Sequence, residues 1–169
     1  TIVSFGGAYS NHLHALAFAC HAMGLGCVAV VRGERPRVLS PTLQDIEGWG
    51  ARLHFVSRAD FRRRDDQAFQ AALLAQYSNA LLIPEGGSNS CAVHGCTDIA
   101  KHIEAHLGDN FAAVMLACGS GGTTAGLVAG LPADKTVFSV PVLNGALTLR
   151  QKIMALMAEA GLPANAALT

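Results

Sequence analysis

The sequence predicts an α/β fold in which strands of parallel sheets alternate with helices along the whole chain. Short apolar runs alternate with longer segments that have helical spacing of apolar residues. Several of the short runs are apolar throughout, which is typical of strands covered on both faces of a parallel sheet. With 169 residues, 51% of them hydrophobic and 14% charged, the chain is long enough to bury a core and too apolar to be disordered.

The first half of the chain predicts four strands separated by three helices. In chain order these seven elements are Thr1–Phe5, Ser10–Met23, Cys27–Arg32, Pro41–Trp49, Arg52–Val56, Ala59–Gln76 and Ala80–Pro84. Gly24 and Gly50 follow two of the helices, where a left-handed C-terminal residue is favoured. Ser40 supplies a capping hydroxyl ahead of Pro41, and proline is favoured in the first turn of a helix.

The second half continues the alternation with three helices and two strands. In chain order these five elements are Asn89–His106, Ala112–Cys118, Gly122–Gly130, Thr136–Val142 and Leu147–Ala160. Asn89 is a favourable helix cap, and Gly108 and Gly161 follow helical runs. The connection after Pro84 is rich in Gly and Ser, so we expect two lobes, residues 1–84 and residues 85–169.

Charge and apolar run lengths argue against several classes of partner. Twelve basic and twelve acidic side chains give no net charge, so we expect neither nucleic acid nor an anionic membrane as a partner. The apolar run that includes Ala112–Cys118 is far shorter than the ~20 residues that cross a bilayer. Five cysteines without a CxxC pair predict neither a disulfide framework nor a zinc site, and they favour a reducing cytoplasm. His102 and His106 lack a third ligand, so we predict no metal site.

Three strand-to-helix junctions carry unusual residues: Gly6–His12 (GGAYSNH), Pro84–Asn89 (PEGGSN) and Gly119–Thr124 (GSGGTT). All three lie at the carboxyl ends of predicted strands, where open parallel sheets bind ligands. Each could simply be a tight turn. The third is the strongest candidate, because small side chains and free amides before a helix can wrap a phosphate. It lacks the third glycine of a dinucleotide fingerprint, and no glycine in the chain is followed by the lysine of a Walker loop.

Five motifs together resemble one family of pyridoxal-phosphate enzymes, the family of 1-aminocyclopropane-1-carboxylate deaminase and D-cysteine desulfhydrase. They are FGGAYSNH at Phe5–His12, PTL at Pro41–Leu43, LHFVSR at Leu53–Arg58, PEGGSN at Pro84–Asn89 and CGSGGTTAGL at Cys118–Leu127. Their order and spacing also match. The resemblance implies the tryptophan synthase β-subunit-like fold (fold type II): two open parallel-sheet lobes, each with helices on both faces, and pyridoxal 5′-phosphate between them.

The resemblance also implies a role for individual residues. The cofactor phosphate would be cradled by Gly119, Ser120, Gly121, Gly122 and Thr123. Asn11 would hydrogen-bond the pyridine 3-hydroxyl. Ser10, with the amides of Asn11 and His12, would hold the substrate carboxylate, and the Ser10 hydroxyl would act as a catalytic polar or proton-relaying group near the reacting carbon. The cofactor itself would be the electron sink.

The lysines depart from the family pattern. The resemblance places the lysine that binds the cofactor as a Schiff base upstream of the SNH segment, whereas this chain has only Lys101, Lys135 and Lys152, which we predict at surface helix or turn positions. The partner of the pyridine nitrogen would lie beyond the C-terminal end. Because Thr1 begins inside a predicted strand, we expect the sequence to be the central part of a longer enzyme, incomplete at both ends.

The expected function is a cytoplasmic deaminase or lyase that acts on a small amino acid and gives ammonia and a 2-oxo acid. The substrate would be 1-aminocyclopropane-1-carboxylate or a D-cysteine-like amino acid, and the full-length protein would be a homodimer. The residues just before SNH match neither characterised branch, so the specific substrate stays open. The alternatives are a non-catalytic module that binds a phosphate ligand, a nucleotide-binding α/β domain and a catalytically incomplete fragment.

Overall fold

The structure, a computed structural model, describes residues 1–142 and 146–169. The chain divides into two compact units, Thr1–Gly86 and Gly87–Thr169. The sequence had indicated a boundary after Pro84, two residues earlier. No described helix combines the length and hydropathy that a bilayer crossing needs.

The first unit is built on a four-stranded parallel sheet. Its elements in chain order are β1 (Ile2–Gly6), α1 (Asn11–Ala22), β2 (Cys27–Arg32), α2 (Pro41–Gly48), β3 (Arg52–Val56), α3 (Arg58–Arg62), α4 (Gln67–Leu74) and β4 (Leu81–Ile83). The strand order is β3-β2-β1-β4, and every neighbouring pair is parallel. The order therefore reverses between β1 and β4, which is the position where open α/β sheets place their ligands.

Helices cover both faces of this sheet, as predicted. Side chains alternate between the faces along β2. Val28 and Val30 pack in one cluster with residues of α3 and α4, whereas Ala29 and Val31 pack in a second cluster with residues of α1 and α2. This burial on both faces explains why the sequence of β2 is apolar at five successive positions.

The predicted single helix Ala59–Gln76 is wrong, because the structure has two helices there. α3 ends at Arg62, and α4 begins at Gln67 after a turn. The Asp66 carboxylate accepts a hydrogen bond from the Phe69 amide at 2.7 Å, and it therefore caps a new helix instead of continuing the old one.

The second unit is built on a three-stranded parallel sheet in the order β5-β6-β7. After one 3₁₀ turn (Glu85–Gly87), its elements are α5 (Ser90–Leu107), β5 (Ala113–Cys118), α6 (Gly122–Gly130), β6 (Thr136–Pro141), α7 (Ala146–Glu159) and β7 (Ala167–Leu168). β7 was not predicted, since a strand of two residues carries no alternation pattern.

In this second unit the described helices pack on one face of the sheet only, whereas helices on both faces were expected. Val114, Leu116 and Val137 contact the core formed with α5, α6 and α7. Met115 and Phe138, which are register partners on the opposite face, are 72% and 37% exposed. The described residues thus bury one side of this sheet and leave an apolar side open.

A stripe of glycines lets α6 approach α5 closely. Gly122, Gly126 and Gly130 recur at intervals of four residues, so they lie on one side of the helix. A Cβ atom at Gly126 would lie 2.7 Å from the Cys96 carbonyl carbon, and one at Gly130 would lie 2.7 Å from the Ala100 Cβ. The two helices touch backbone to backbone, which fixes the start of α6 relative to α5.

Candidate functional site

The junction between β1 and α1 is a tight loop that ends in a capped helix. Ser10 is the N-cap, and its Oγ accepts a hydrogen bond from the Leu13 amide at 3.2 Å. A Cβ atom at Gly6 would lie 2.6 Å from the Ser10 Oγ, so only glycine allows the loop to pass this close. Asn11 is exposed and His12 is half-buried. Their amides belong to the first turn of a 12-residue helix, where N–H groups lack a helical acceptor and can bind an anion.

A polar network lies beneath this helix end, at the carboxyl ends of β1 and β4. The Ser4 side chain is fully buried, and its Oγ lies 2.7 Å from Nε2 of His12 and donates to the Ile83 carbonyl at 2.8 Å. Burial lowers the pKa of His12, and the Glu85 carboxylate opposes this effect. Glu85 is in turn paired with Arg64 at 2.6 Å.

Sequence reasoning missed Ser4 and Glu85. The signal for Ser4 was a single polar residue inside an otherwise apolar strand, because a buried hydroxyl requires a hydrogen-bond partner. The signal for Glu85 was its place directly after a strand at the reversal of strand order, which only the sheet topology reveals.

The junction between β5 and α6 forms a small cavity of about 60 Å³. The residues that line it are Ala117, Cys118, Gly119, Ser120, Gly121, Gly122, Thr123 and Thr124. Gly121 has a φ of +96°, in the left-handed region, and a Cβ atom there would lie 2.9 Å from Cγ1 of Ile153. Gly121 is the N-cap residue of α6 and supplies no side-chain hydrogen bond to the helix. The first turn of this nine-residue helix lines the cavity, and N–H groups at a helix start can bind an anion.

The segment after β4 contacts the loop that lines this cavity, within the second unit, a role that sequence reasoning did not assign. The Ser88 Oγ donates to the Ser120 Oγ at 2.6 Å, and a Cβ atom at Gly122 would lie 2.9 Å from the Ser88 Oγ. Asn89 caps α5 through a 2.9 Å hydrogen bond from the Ala92 amide, as predicted. The PEGGSN motif thus supplies both a hydroxyl that contacts the loop and a cap for the adjacent helix.

The structure gathers the predicted site residues into two groups, one in each unit. Ser10, Asn11 and His12 share the amino end of α1 in the first unit. In the second unit, residues 119–123 surround the cavity at the amino end of α6, with Thr123 exposed. Thr124 differs from its neighbours, because its buried hydroxyl donates to the Cys118 Sγ at 3.2 Å and so points into the core.

The expectation that all three lysines lie at the surface is wrong for Lys135. The Lys135 side chain is buried. Its Nζ lies 2.9 Å from the Asp134 carboxylate and 4.9 Å from the centre of the Phe111 ring. It stands just before β6, at the edge of the sheet opposite the α6 cavity. Lys101 and Lys152 are exposed on α5 and α7.

The described residues contain no group of three or more His, Cys, Asp or Glu placed to hold a metal ion. His102 and His106 are exposed, and the Nδ1 atom of each donates to the carbonyl four residues earlier, at 2.7 and 2.8 Å. Their spacing therefore serves local hydrogen bonds along α5.

Curated relatives carry the names expected from the motifs. The chain is 30% identical over 145 residues to the bifunctional D-cysteine desulfhydrase/1-aminocyclopropane-1-carboxylate deaminase, mitochondrial, of Arabidopsis thaliana, with 77% of this chain and 36% of the relative covered. It is 29% identical to the D-cysteine desulfhydrase of Yersinia pestis (strain Pestoides F), with 90% of this chain and 49% of the relative covered. The chain thus spans between about a third and a half of the length of these relatives.

Solved structures confirm the predicted fold class. A crystal structure of an ACC deaminase homologue matches 99% of this chain and 54% of its own length, with a TM-score of 0.78 and 21% identity. The threonine deaminase of T.th. matches 83% of this chain and 44% of its own, with a TM-score of 0.63 and 22% identity. Both are fold type II enzymes.

The family itself follows from a match over nearly the whole sequence. The model of the family described as pyridoxal-phosphate dependent enzyme matches residues 1–158. A match of this extent includes both junctions described above, the amino end of α1 and the cavity at α6. The chain therefore belongs to the family of pyridoxal-phosphate-dependent enzymes.

Proposed function

We propose that this chain supplies the cofactor-phosphate loop and the substrate-carboxylate cradle of a pyridoxal-phosphate-dependent deaminase or lyase. The substrate is a small amino acid, 1-aminocyclopropane-1-carboxylate or a D-cysteine-like compound, and the products are ammonia and a 2-oxo acid. The observation that carries the proposal is the amino end of α6, where a left-handed glycine, Gly121, is the N-cap and small residues line a cavity.

The loop fits a phosphate ester in shape and in charge. Residues 119–123 present backbone amides and two hydroxyls, and the positive end of the α6 dipole favours an anion there. A larger side chain at Gly121 would meet Ile153, so the loop keeps its form only with glycine. Asn11 is the residue we assign to the pyridine 3-hydroxyl. Pyridoxal phosphate, when bound, supplies the electron sink that stabilises negative charge on the substrate carbon.

The amino end of α1 is the part we assign to the substrate. The amides of Asn11 and His12 donate to the carboxylate, which the helix dipole also favours. The Ser10 Oγ accepts the Leu13 amide proton, so its own hydroxyl proton is directed away from the helix. In this role the hydroxyl orients the substrate and moves a proton near the reacting carbon.

The names of the relatives support this choice of substrates, and the family match argues against a non-catalytic phosphate-binding module. We also infer a cytoplasmic location and a homodimer for the full-length protein. The balanced charge of the chain supports the absence of nucleic acid and of a membrane surface among its partners.

The Ser10 assignment is tested by Ser10→Ala in the full-length gene product, assayed for 2-oxo acid release from 1-aminocyclopropane-1-carboxylate and from D-cysteine. We expect turnover to fall by about tenfold or more, the range for a lost proton-relaying group, while the absorbance of the bound cofactor stays unchanged.

Ser57→Ala is the matched control. Ser57 caps α3 with the same geometry, since its Oγ accepts the Asp60 amide proton at 3.0 Å. Either variant loses one cap, which costs about 1 kcal/mol of stability. Equal turnover in the two variants would mean that Ser10 acts only as a helix cap. If the unaltered protein is inactive on both amino acids, the proposed substrates are wrong.

A further inference from the structure

In the network formed by Ser4, His12 and Ile83, the single hydroxyl proton of Ser4 determines whether Nε2 of His12 carries a hydrogen. The Ser4 Oγ lies 2.8 Å from the Ile83 carbonyl oxygen, and a carbonyl oxygen can only accept. A second carbonyl oxygen, that of Pro84, lies 3.4 Å from the same Oγ. Two oxygens at 2.8 Å repel unless a proton lies between them, so the one hydroxyl proton of Ser4 is directed to these carbonyls. The Ser4 Oγ also lies 2.7 Å from Nε2 of His12. Since its proton is already used, Ser4 accepts there, and Nε2 of His12 must carry a hydrogen.

Strand geometry explains why Ser4 can do this. Val3 and Phe5 face the cluster formed with α3 and α4, so Ser4 between them faces the side of the sheet on which α1 packs. Ser4 is also the register partner of Ile83 on β4. One buried hydroxyl therefore ties α1 to both strands at the reversal of strand order.

We propose that Ser4 is a positioning residue that holds the His12 ring as the neutral Nε2–H tautomer, so that His12 serves the substrate carboxylate through its backbone amide and not through its ring. This proposal rests on the proposed function of the α1 amino end and names how that end is held in place.

The charges around His12 agree with a neutral ring. Burial disfavours the imidazolium, and so lowers the pKa of His12. The Glu85 carboxylate alone would favour the charged ring, but the Arg64 guanidinium neutralises it at 2.6 Å. In the neutral ring the remaining basic atom is Nδ1, whose lone pair repels a carboxylate. The first-turn amides, and not the His12 ring, therefore bind the carboxylate.

The tautomer is measured by two-dimensional ¹H–¹⁵N spectra of the histidine rings in the ¹⁵N-labelled chain, with the His12 signals assigned by their loss in His12→Gln. We expect the hydrogen on Nε2 of His12, and a proton resonance for it that persists because Ser4 is buried. His102 is an internal reference with its hydrogen on the other ring nitrogen, since its Nδ1 donates to the Asp98 carbonyl. A His12 ring with its hydrogen on Nδ1, or one that is charged at pH 7.5, would overturn the proposal.

Two variants separate the positioning role from general destabilisation. Ser4→Thr keeps the hydroxyl and should retain the Nε2 proton resonance, whereas Ser4→Ala should lose it through exchange with solvent. Persistence of that resonance in Ser4→Ala would refute the role of Ser4. If Ser4→Ala does not fold, the unaltered chain and Ser4→Thr still decide the tautomer.

A kinetic measurement on the full-length gene product tests the link to the carboxylate. There we expect Ser4→Ala to raise KM for the amino acid by several-fold and to change kcat by less than twofold, with Ser4→Thr close to the unaltered protein. An unchanged KM would refute that link. Because the spectra need neither cofactor nor activity, they stay informative even if the proposed function fails.

Discussion

At the scale of single residues, buried polar groups in the first unit have their hydrogen-bond partners and their protonation fixed by the fold. The Ser4 and His12 side chains are hydrogen-bonded to each other, and Nδ1 of His54 is hydrogen-bonded to the Tyr77 hydroxyl at 2.7 Å. Burial lowers the pKa of both histidines from the ordinary value of 6.5, and Arg52 adds to this effect at His54. The folded chain therefore prefers both rings neutral.

These shifts predict the direction in which stability depends on pH. Because the pKa of each ring is lower in the folded chain, the unfolded chain binds protons first as the pH falls through 6.5. The stabilising contribution is thus fully present above pH 6.5 and is lost as the pH falls toward the folded pKa. We expect the free energy of unfolding, measured with urea between pH 8 and pH 5, to decrease on acidification.

A pair of variants identifies the histidines responsible for that slope. His54→Gln should flatten the dependence, since it removes one of the two shifted groups. His106→Gln, at an exposed position on α5, should leave the slope as it is. A free energy of unfolding that rises on acidification, or an equal slope in His54→Gln, would contradict the burial of these neutral rings.

At the scale of elements, the glycine stripe of α6 fixes the start of that helix and so the shape of the α6 cavity. Gly126→Ala would place a methyl group 2.7 Å from the Cys96 carbonyl carbon, in backbone that cannot give way as a flexible side chain can. We expect it to lower the free energy of unfolding by about 1–3 kcal/mol, the usual cost of overpacking.

Gly95→Ala on α5 is the matched control, because nothing lies within 4 Å of a Cβ atom there. That substitution should raise stability by about 0.5–1 kcal/mol, as it does in a helix interior without steric conflict. If the two glycines respond alike in chemical denaturation, the close approach of α5 and α6 is wrong.

Elements with local signals were predictable from the sequence, and elements that depend on distant contacts were not. Ser40 before Pro41 and Asn89 before α5 marked helix starts that the structure confirms within a residue. The division of residues 59–76 into two helices was missed, because Asp66 lies inside the predicted helix and was not interpreted as a cap. β7 pairs with β6 through two residues, too few to leave a periodic pattern.

The residues of the candidate site also separate into those with a local sequence pattern and those that depend on distant contacts. The loop at residues 119–123 was recognisable from its small residues before a helix, a local pattern. Ser4, Glu85 and Ser88 were missed because each acts through a residue distant in sequence: His12 or Ile83 for Ser4, Arg64 for Glu85 and Ser120 for Ser88. The burial of Lys135 was missed for the same reason, since the Phe111 ring contacts Lys135 only in the folded unit.

At the scale of the whole molecule, the chain carries two parallel-sheet units of a pyridoxal-phosphate-dependent enzyme family and spans less than the length of its relatives. We propose, from the resemblance, that residues 1–84 belong mostly to the small lobe and that residues 85–169 are part of the large, cofactor-binding lobe. The two units differ in burial, because helices cover both faces of the first sheet and, among the described residues, one face of the second. We propose that the second unit holds the cofactor phosphate at the amino end of α6.

Phosphate binding at α6 is measured by titrating the ¹⁵N-labelled chain with pyridoxine 5′-phosphate, which carries the phosphate but no aldehyde to react with lysines. Unphosphorylated pyridoxine is the comparison. We expect the phosphate ester, and not pyridoxine, to shift the amide resonances of residues 119–124. Gly121→Ala should weaken this binding by about tenfold or more, and Gly95→Ala should leave it unchanged. Equal shifts with both compounds, shifts located elsewhere, or undiminished binding by Gly121→Ala would contradict a phosphate site at the amino end of α6.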